Sequence, residues 1–99
     1  MTRPPSDDDS DLVGFVYDAR FDAELEAIEP DAMSADRITH SLEFALSRNP
    51  RLGWPVEGTP YYLFPVYDRK GKEYVVYYRI RERVEVLSIA PSGEETFLP

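Results

Sequence analysis

Cysteine is absent from this 99-residue chain. Disulfides, thiolate metal sites and thiol nucleophiles are therefore excluded. Long apolar runs are missing too, since no stretch approaches the roughly 20 residues that span a bilayer. The opening MTRPPSDDDSD has no apolar core behind its charged residues, so it does not read as a signal peptide. A soluble, cytoplasmic protein without a membrane partner is the expectation. The 5 glycines are scattered through turns, which leaves no phosphate-cradling loop. The single histidine, His40, falls within a helical stretch near Asp36 and Glu43. It reads as a solvated surface residue rather than a base or a metal ligand. No metal and no cofactor is expected. Neighbouring acids such as Glu24/Glu26 and Glu94/Glu95 say nothing about carboxylate separation, so they support no hydrolase.

What the chain does have is acid in the wrong place for a nucleic-acid binder. The net charge is −8. Residues 1–49 hold four Arg/Lys and twelve Asp/Glu, whereas residues 50–99 hold seven of each. Six of the 11 basic residues crowd into 69–83: Arg69, Lys70, Lys72, Arg79, Arg81 and Arg83. A polyanion would be repelled at long range and would have to rely on that window. Aromatics reach 13%, with 7 Tyr, so the core or a binding face is rich in ring surface.

Ninety-nine residues make one domain. Residues 1–11, with Pro4-Pro5 and Asp7-Asp8-Asp9, read as a disordered acidic arm. A single domain over 12–91 and a polar C-terminal tail over 92–99 complete the chain. Leu12 to Tyr17 has the composition of a short strand. Asp18 then caps a helix on which Phe21, Leu25 and Ile28 fall at i, i+4 and i+7. Glu29-Pro30-Asp31 ends it. A second helix runs to about Arg48, with Ile38, Leu42, Ala45 and Leu46 as its buried stripe and Phe44 on a flank. Asn49-Pro50 stops it, and Arg51 to Pro60 reads as a turn-rich loop.

The rest is β. Tyr61 to Tyr67 is a strand in which Pro65 demands an edge or a bulge. Asp68 to Lys72 is a hairpin loop with Gly71 at a positive φ. Tyr74 to Ile80 and Val84 to Ala90 are the last two strands, joined by Arg81-Glu82-Arg83. The fold class expected is α+β in the order β-α-α-β-β-β, a small, mostly antiparallel sheet with a two-helix hairpin on one face. Alternation puts Tyr74, Val76, Tyr78 and Ile80 toward the helices. Val75, Tyr77, Arg79 and Arg81 then share a half-exposed face, which pairs a ring with a cation as nucleic-acid platforms do and as many ordinary sheet faces do. Trp54, in its Pro/Gly loop, is expected to plug the end of the core, with a partner anchor as the alternative.

Three stretches resemble the RelE/ParE superfamily, the toxins of type II toxin–antitoxin systems. FVYDARFDAELEAI resembles that family's opening strand and first helix. SLEFALSRNPRLGWPVEGTPYYLF resembles its helix end and the loop into the next strand. EYVVYYRIRERVEVLSI resembles its closing hairpin. Together they cover about Phe15 to Ile89. The resemblance implies a sheet with one face under a helical hairpin and the other open to a target. It also implies an antitoxin-like protein as partner, with the ribosome and its mRNA, or DNA gyrase, as target.

The sequence departs from the family's RNA-cutting pattern. Val75 stands at the open-face arginine position, Ser88-Ile89-Ala90-Pro91 lacks the usual Arg, His or Tyr, and Phe97 lacks a terminal hydroxyl. Arg79, Arg81 and Lys72 could supply cations, but RNA cleavage also needs a base and an acid. The expectation is a toxin-fold protein that acts mainly by binding, through Arg69, Lys70, Tyr77 and Trp54. One alternative is a ribosome-dependent endoribonuclease with a relocated basic site. Another is a non-toxic domain that forms a homodimer through the Pro65 edge or the Tyr77 face.

Overall fold

A computed structural model of the protein describes residues 14–94. The acidic arm, Leu12 and Val13 at the head of the expected first strand, and the tail beyond Glu94 lie outside the described residues. The order is β1 (Phe15–Tyr17), α1 (Ala19–Ile28), α2 (Ala32–Leu46), a 3-10 turn (Pro50–Leu52), β2 (Trp54–Pro55), β3 (Tyr61–Tyr67), β4 (Glu73–Ile80) and β5 (Val84–Pro91). The strands form one sheet in the order β1-β5-β4-β3-β2. Only the β1–β5 pair is parallel. The fold is thus α+β, with the helices following the first strand and preceding the antiparallel meander.

Each helix starts where a short acid can meet its orphan N–H groups. Asp18 accepts from the Arg20 N–H at 2.8 Å. Asp31 accepts from both the N–H and the hydroxyl of Ser34, each at 3.0 Å. Those two donors hold the Asp31 carboxyl below its ordinary value. The cap is therefore complete at neutral pH and lost only on acidification. The α1 stripe packs as its spacing demands, with Phe21 and Leu25 buried, and α2 buries Ile38, Leu42 and Leu46. Opposite them, Tyr62, Phe64, Val66, Tyr74, Val76, Tyr78, Ile80, Val84, Val86 and Ile89 form the sheet side of the core. Each fully buried Val, Leu, Ile or Phe side chain contributes roughly 1.5–3 kcal/mol.

The ladder has one irregularity. Tyr77 pairs with Ser88 but Tyr78 pairs with Val86, so Leu87 is an extra residue on β5. Strict alternation from Val84 would turn Ile89 away from the helices. The bulge instead leaves both Ser88 and Ile89 buried, at 1% and 2% exposure. Of the edge or bulge expected at Pro65, the structure supplies the edge, and the bulge on β5 is a separate feature. Pro65 itself sits on β3, whose outer side is covered by β2 only at Tyr62 and Leu63.

β1 pairs only with Val84 to Val86 of β5. Beyond that point Glu24 of α1 takes over the edge. One oxygen of its carboxylate accepts from the Ser88 hydroxyl at 2.8 Å and from the Ile89 N–H at 3.0 Å. Glu24→Ala leaves two buried donors without a partner. It is expected to lower the unfolding free energy by about 2–3 kcal/mol in urea titrations, with Glu24→Gln recovering part of the loss. Equal stability of Glu24→Ala and wild type would refute this role.

Candidate functional site

The two turns that flank β4 hold the basic window, and they lie at opposite ends of the strand. Seven residue steps along β4 amount to about 23 Å. The six cations therefore form two groups, and they differ in how far the fold has already engaged them.

The β3–β4 loop is rigidly built. Gly71 has φ 86°, as a tight hairpin requires. The Asp68 carboxylate accepts from the N–H groups of Lys72 at 2.9 Å and Lys70 at 2.8 Å, and from the Tyr74 hydroxyl at 3.3 Å. These donors, the Lys72 N–H foremost, hold its carboxyl below the ordinary range. Arg69 does not project freely. Its guanidinium lies 3.9 Å from Glu29, a carboxylate only 5% exposed at the turn between the helices. Its N–H points at the same side chain, at 3.5 Å. Arg69 therefore ties the hairpin loop to the helical hairpin and compensates a buried acid. Lys72 sits 5.5 Å from the Tyr74 ring centroid, a cation–π arrangement. Lys70 is exposed at the tip.

At the other end, Arg79 is bound in a 2.5 Å hydrogen-bonded ion pair with Glu85 directly across the ladder. Its side chain and that of Glu85 are 27% and 26% exposed. Arg81 and Arg83 flank the β4–β5 turn, closed by the Arg81 N–H donating to the Arg83 carbonyl at 2.9 Å. Both are exposed and neither forms an ion pair with a described residue. They line a cleft of about 460 Å³ with Val16, Glu82 and Glu85. Gly14 lies against Arg83, and its carbonyl accepts from the Val84 N–H at 2.9 Å.

Two guanidinium groups suit a phosphate or carboxylate bidentately. No imidazole, hydroxyl or thiol lines the cleft. His40, the sole imidazole of the chain, is exposed on α2, on the helix side of the sheet. Two carboxylates, Glu82 and Glu85, share the cleft with these cations, and Glu85 is already held by Arg79. Lys72 cannot join Arg79 and Arg81 at one phosphate, because β4 separates them.

Two expected site residues occupy other places than the sequence suggested. Tyr77 was expected on a half-exposed face, yet it is 8% exposed and Val75 beside it 7%. Alternation was right about the face, but not about its accessibility, so Tyr77 offers no stacking platform. Trp54 was expected to plug the core, with a partner anchor as the alternative; at 64% exposure it does not plug the core. It lies on β2 opposite Leu63, and the ring that closes this end of the core is Tyr78, fully buried.

The sequence missed Glu24, Glu29 and Glu43, whose carboxylates each serve a distant element. Glu43 of α2 accepts from the Tyr17 hydroxyl of β1 in a very short hydrogen bond. Their only sequence signal was position on the flank of an apolar stripe. Among the described residues no group of three or more His, Cys, Asp or Glu is placed to hold a metal ion, and no helix is long and apolar enough to cross a membrane.

Fold and site together define a small α+β protein with two arginines at one sheet corner that form no ion pair with a described residue. No protein-family model matches the sequence, and none of the curated proteins is significantly similar to it.

Proposed function

We propose that this chain is a RelE/ParE-like toxin-fold protein that acts by binding, with the Arg81–Arg83 corner as its contact for an anionic target. The observation that carries the reading is that corner. Two exposed guanidinium groups, neither in an ion pair with a described residue, flank a cleft that also holds the carboxylates of Glu82 and Glu85 and no imidazole, hydroxyl or thiol. Apart from the two-residue β2 at Trp54–Pro55, which falls in the expected loop, the element order is the β-α-α-β-β-β that the three stretches quoted above imply. The partner is an antitoxin-like protein and the target, in the cytoplasm, is the ribosome or DNA gyrase. Because the chain is acidic overall, the target must approach this corner locally rather than be drawn in by a long-range field.

Induction in a bacterial host tests the reading. Growth arrest is expected with full-length cellular transcripts. Arg81→Glu with Arg83→Glu is expected to relieve the arrest and weaken target association at least about tenfold. Undisturbed growth on wild-type induction defeats the toxin reading. Cut transcripts defeat the binding-only mechanism in favour of an endoribonuclease.

A further inference from the structure

We propose that the chain's own acidic stretch Asp7-Asp8-Asp9-Ser10-Asp11 is a built-in competitor for the Arg81–Arg83 corner, one that an anionic target must displace. The inference rests on the reading of that corner as the target contact and adds its regulation.

Connectivity brings the stretch there. β1 runs parallel to β5, with Phe15 opposite Val84. The chain therefore enters the sheet at the end where β5 begins, which is the end of the β4–β5 turn. Gly14 is the point of entry. Its carbonyl accepts from the Val84 N–H at 2.9 Å, and a Cβ built on it would lie 3.9 Å from Cγ and 4.0 Å from Cδ of Arg83. Asp11 stands three positions before Gly14 and Asp7 seven. At the reach of an extended chain they extend at most about 10 Å and about 24 Å from it. All four carboxylates can thus meet the cleft. Lys70 and Lys72 are about 23 Å away at the other end of β4, a span that only Asp7 could cover at full extension.

Charge agrees with connectivity. Residues 1–13 hold these four acids and a single cation, Arg3. The corner is cationic by a narrow margin. Arg79 holds Glu85, which leaves Arg81 and Arg83 against Glu82. Neither of those arginines forms an ion pair with a described residue. So small an excess would capture a free acidic peptide weakly. A tethered one is present at an effective concentration of millimolar order, so weak attraction suffices. The same stretch of a second copy would need millimolar protein to match it. Roughly 1 mM against an intrinsic Kd of about 0.1 mM lowers the apparent affinity for any competing anion about tenfold.

The test compares the full wild-type chain with two variants that each lose four acids. One carries Asp7→Asn, Asp8→Asn, Asp9→Asn and Asp11→Asn. The other carries Glu26→Gln, Asp36→Asn, Glu57→Gln and Glu73→Gln, all exposed and in no ion pair with a described residue. Net charge changes equally in both, so the long-range field is matched. The probe is fluorescein-labelled tripolyphosphate, followed by anisotropy at low salt. The arm variant is expected to bind about tenfold tighter than wild type, and the remote variant within about twofold of it. The gain should vanish when Arg81→Glu and Arg83→Glu are added, and shrink at about 0.5 M salt. No gain in the arm variant, an equal gain in both variants, or a gain that survives the two arginine changes overturns the inference. So does a wild-type dimer in light scattering that the four Asn changes dissolve, since the occupant is then another copy. Growth arrest relieved by Arg81→Glu with Arg83→Glu, while tripolyphosphate shows no gain in the arm variant, defeats the inference alone. The full tripolyphosphate pattern with undisturbed growth on induction supports the inference and defeats only the toxin reading.

Discussion

Gly53→Ala is expected to cost the protein about 3 kcal/mol or more of unfolding free energy, among the largest losses for a single added methyl. A Cβ at Gly53 would lie 2.5 Å from the Leu63 carbonyl oxygen and 2.5 Å from the Tyr78 hydroxyl. The first is backbone in the β2–β3 pair and the second belongs to a ring with no exposed surface, so neither can yield cheaply. The backbone at Gly53 is ordinary, with φ −71° and ψ 179°. The cost is therefore steric and not conformational. What holds the loop so close is the Tyr78 hydroxyl, which accepts from the Gly53 N–H at 3.0 Å and donates to the Pro50 carbonyl at 2.7 Å.

Tyr78→Phe removes both bonds and is expected to cost about 1–3 kcal/mol. In the double variant the hydroxyl clash is gone, so the combined loss should fall short of the sum by more than about 0.5 kcal/mol. Urea unfolding followed by Trp54 fluorescence reads all three. A Gly53→Ala variant within about 1 kcal/mol of wild type would show that the loop moves aside freely.

This strut also explains where the sequence was readable and where it was not. Periodicity in Phe21, Leu25 and Ile28, and in Ile38, Leu42 and Leu46, is a local signal, and each set packs as its spacing implies. Asp18 as a cap and Gly71 in a tight turn are local as well. The parallel pairing of β1 with β5 joins Phe15 to Val84, and no pattern within either segment announces it. The bulge at Leu87 is equally silent, because VEVLSIAP reads as plain alternation until Glu24 is known to lie beside Ser88.

The candidate site divides in the same way. That the basic window contains two groups was legible, since a strand of seven or eight residues separates its turns. Which cations are free was not legible. Arg69 and Arg79 are engaged by Glu29 and Glu85, the first of them 40 residues away in sequence. Trp54 is exposed because its register with Leu63, and through it with Tyr77, puts it on the sheet face opposite to Tyr78 and the helices. Composition proposes candidates for a surface, and long-range pairing decides which remain available.

High pH is expected to unfold this protein through its phenols. Tyr17 is raised far above the ordinary tyrosine value of about 10, first by burial and then by the carboxylate of Glu43 to which it donates. Tyr78 is raised by burial, which outweighs the opposing effect of the Gly53 N–H that it accepts. The folded state therefore keeps protons that the unfolded chain releases above about pH 10. Below that value the two states bind equally many protons at these groups, and stability is flat. Above it the unfolded state binds fewer, so stability falls as pH rises, by up to about 1.4 kcal/mol per pH unit for each such phenol.

Tyr17 alone would remove up to about 3 kcal/mol between pH 10 and pH 12, a large part of the stability of a domain this size, and Tyr78 acts in the same direction. Tyr17→Phe loses the bond to Glu43 and should be about 1 kcal/mol less stable than wild type at pH 7. It also loses the titration, so the two stability curves should converge and cross on the alkaline side. Unfolding free energies at stepped pH, with phenolate absorbance recorded in parallel, provide the measurement. Parallel curves for Tyr17→Phe and wild type up to pH 12 would mean that Tyr17 ionises as readily in the fold as in the free chain, and that its link to Glu43 does not couple β1 to α2.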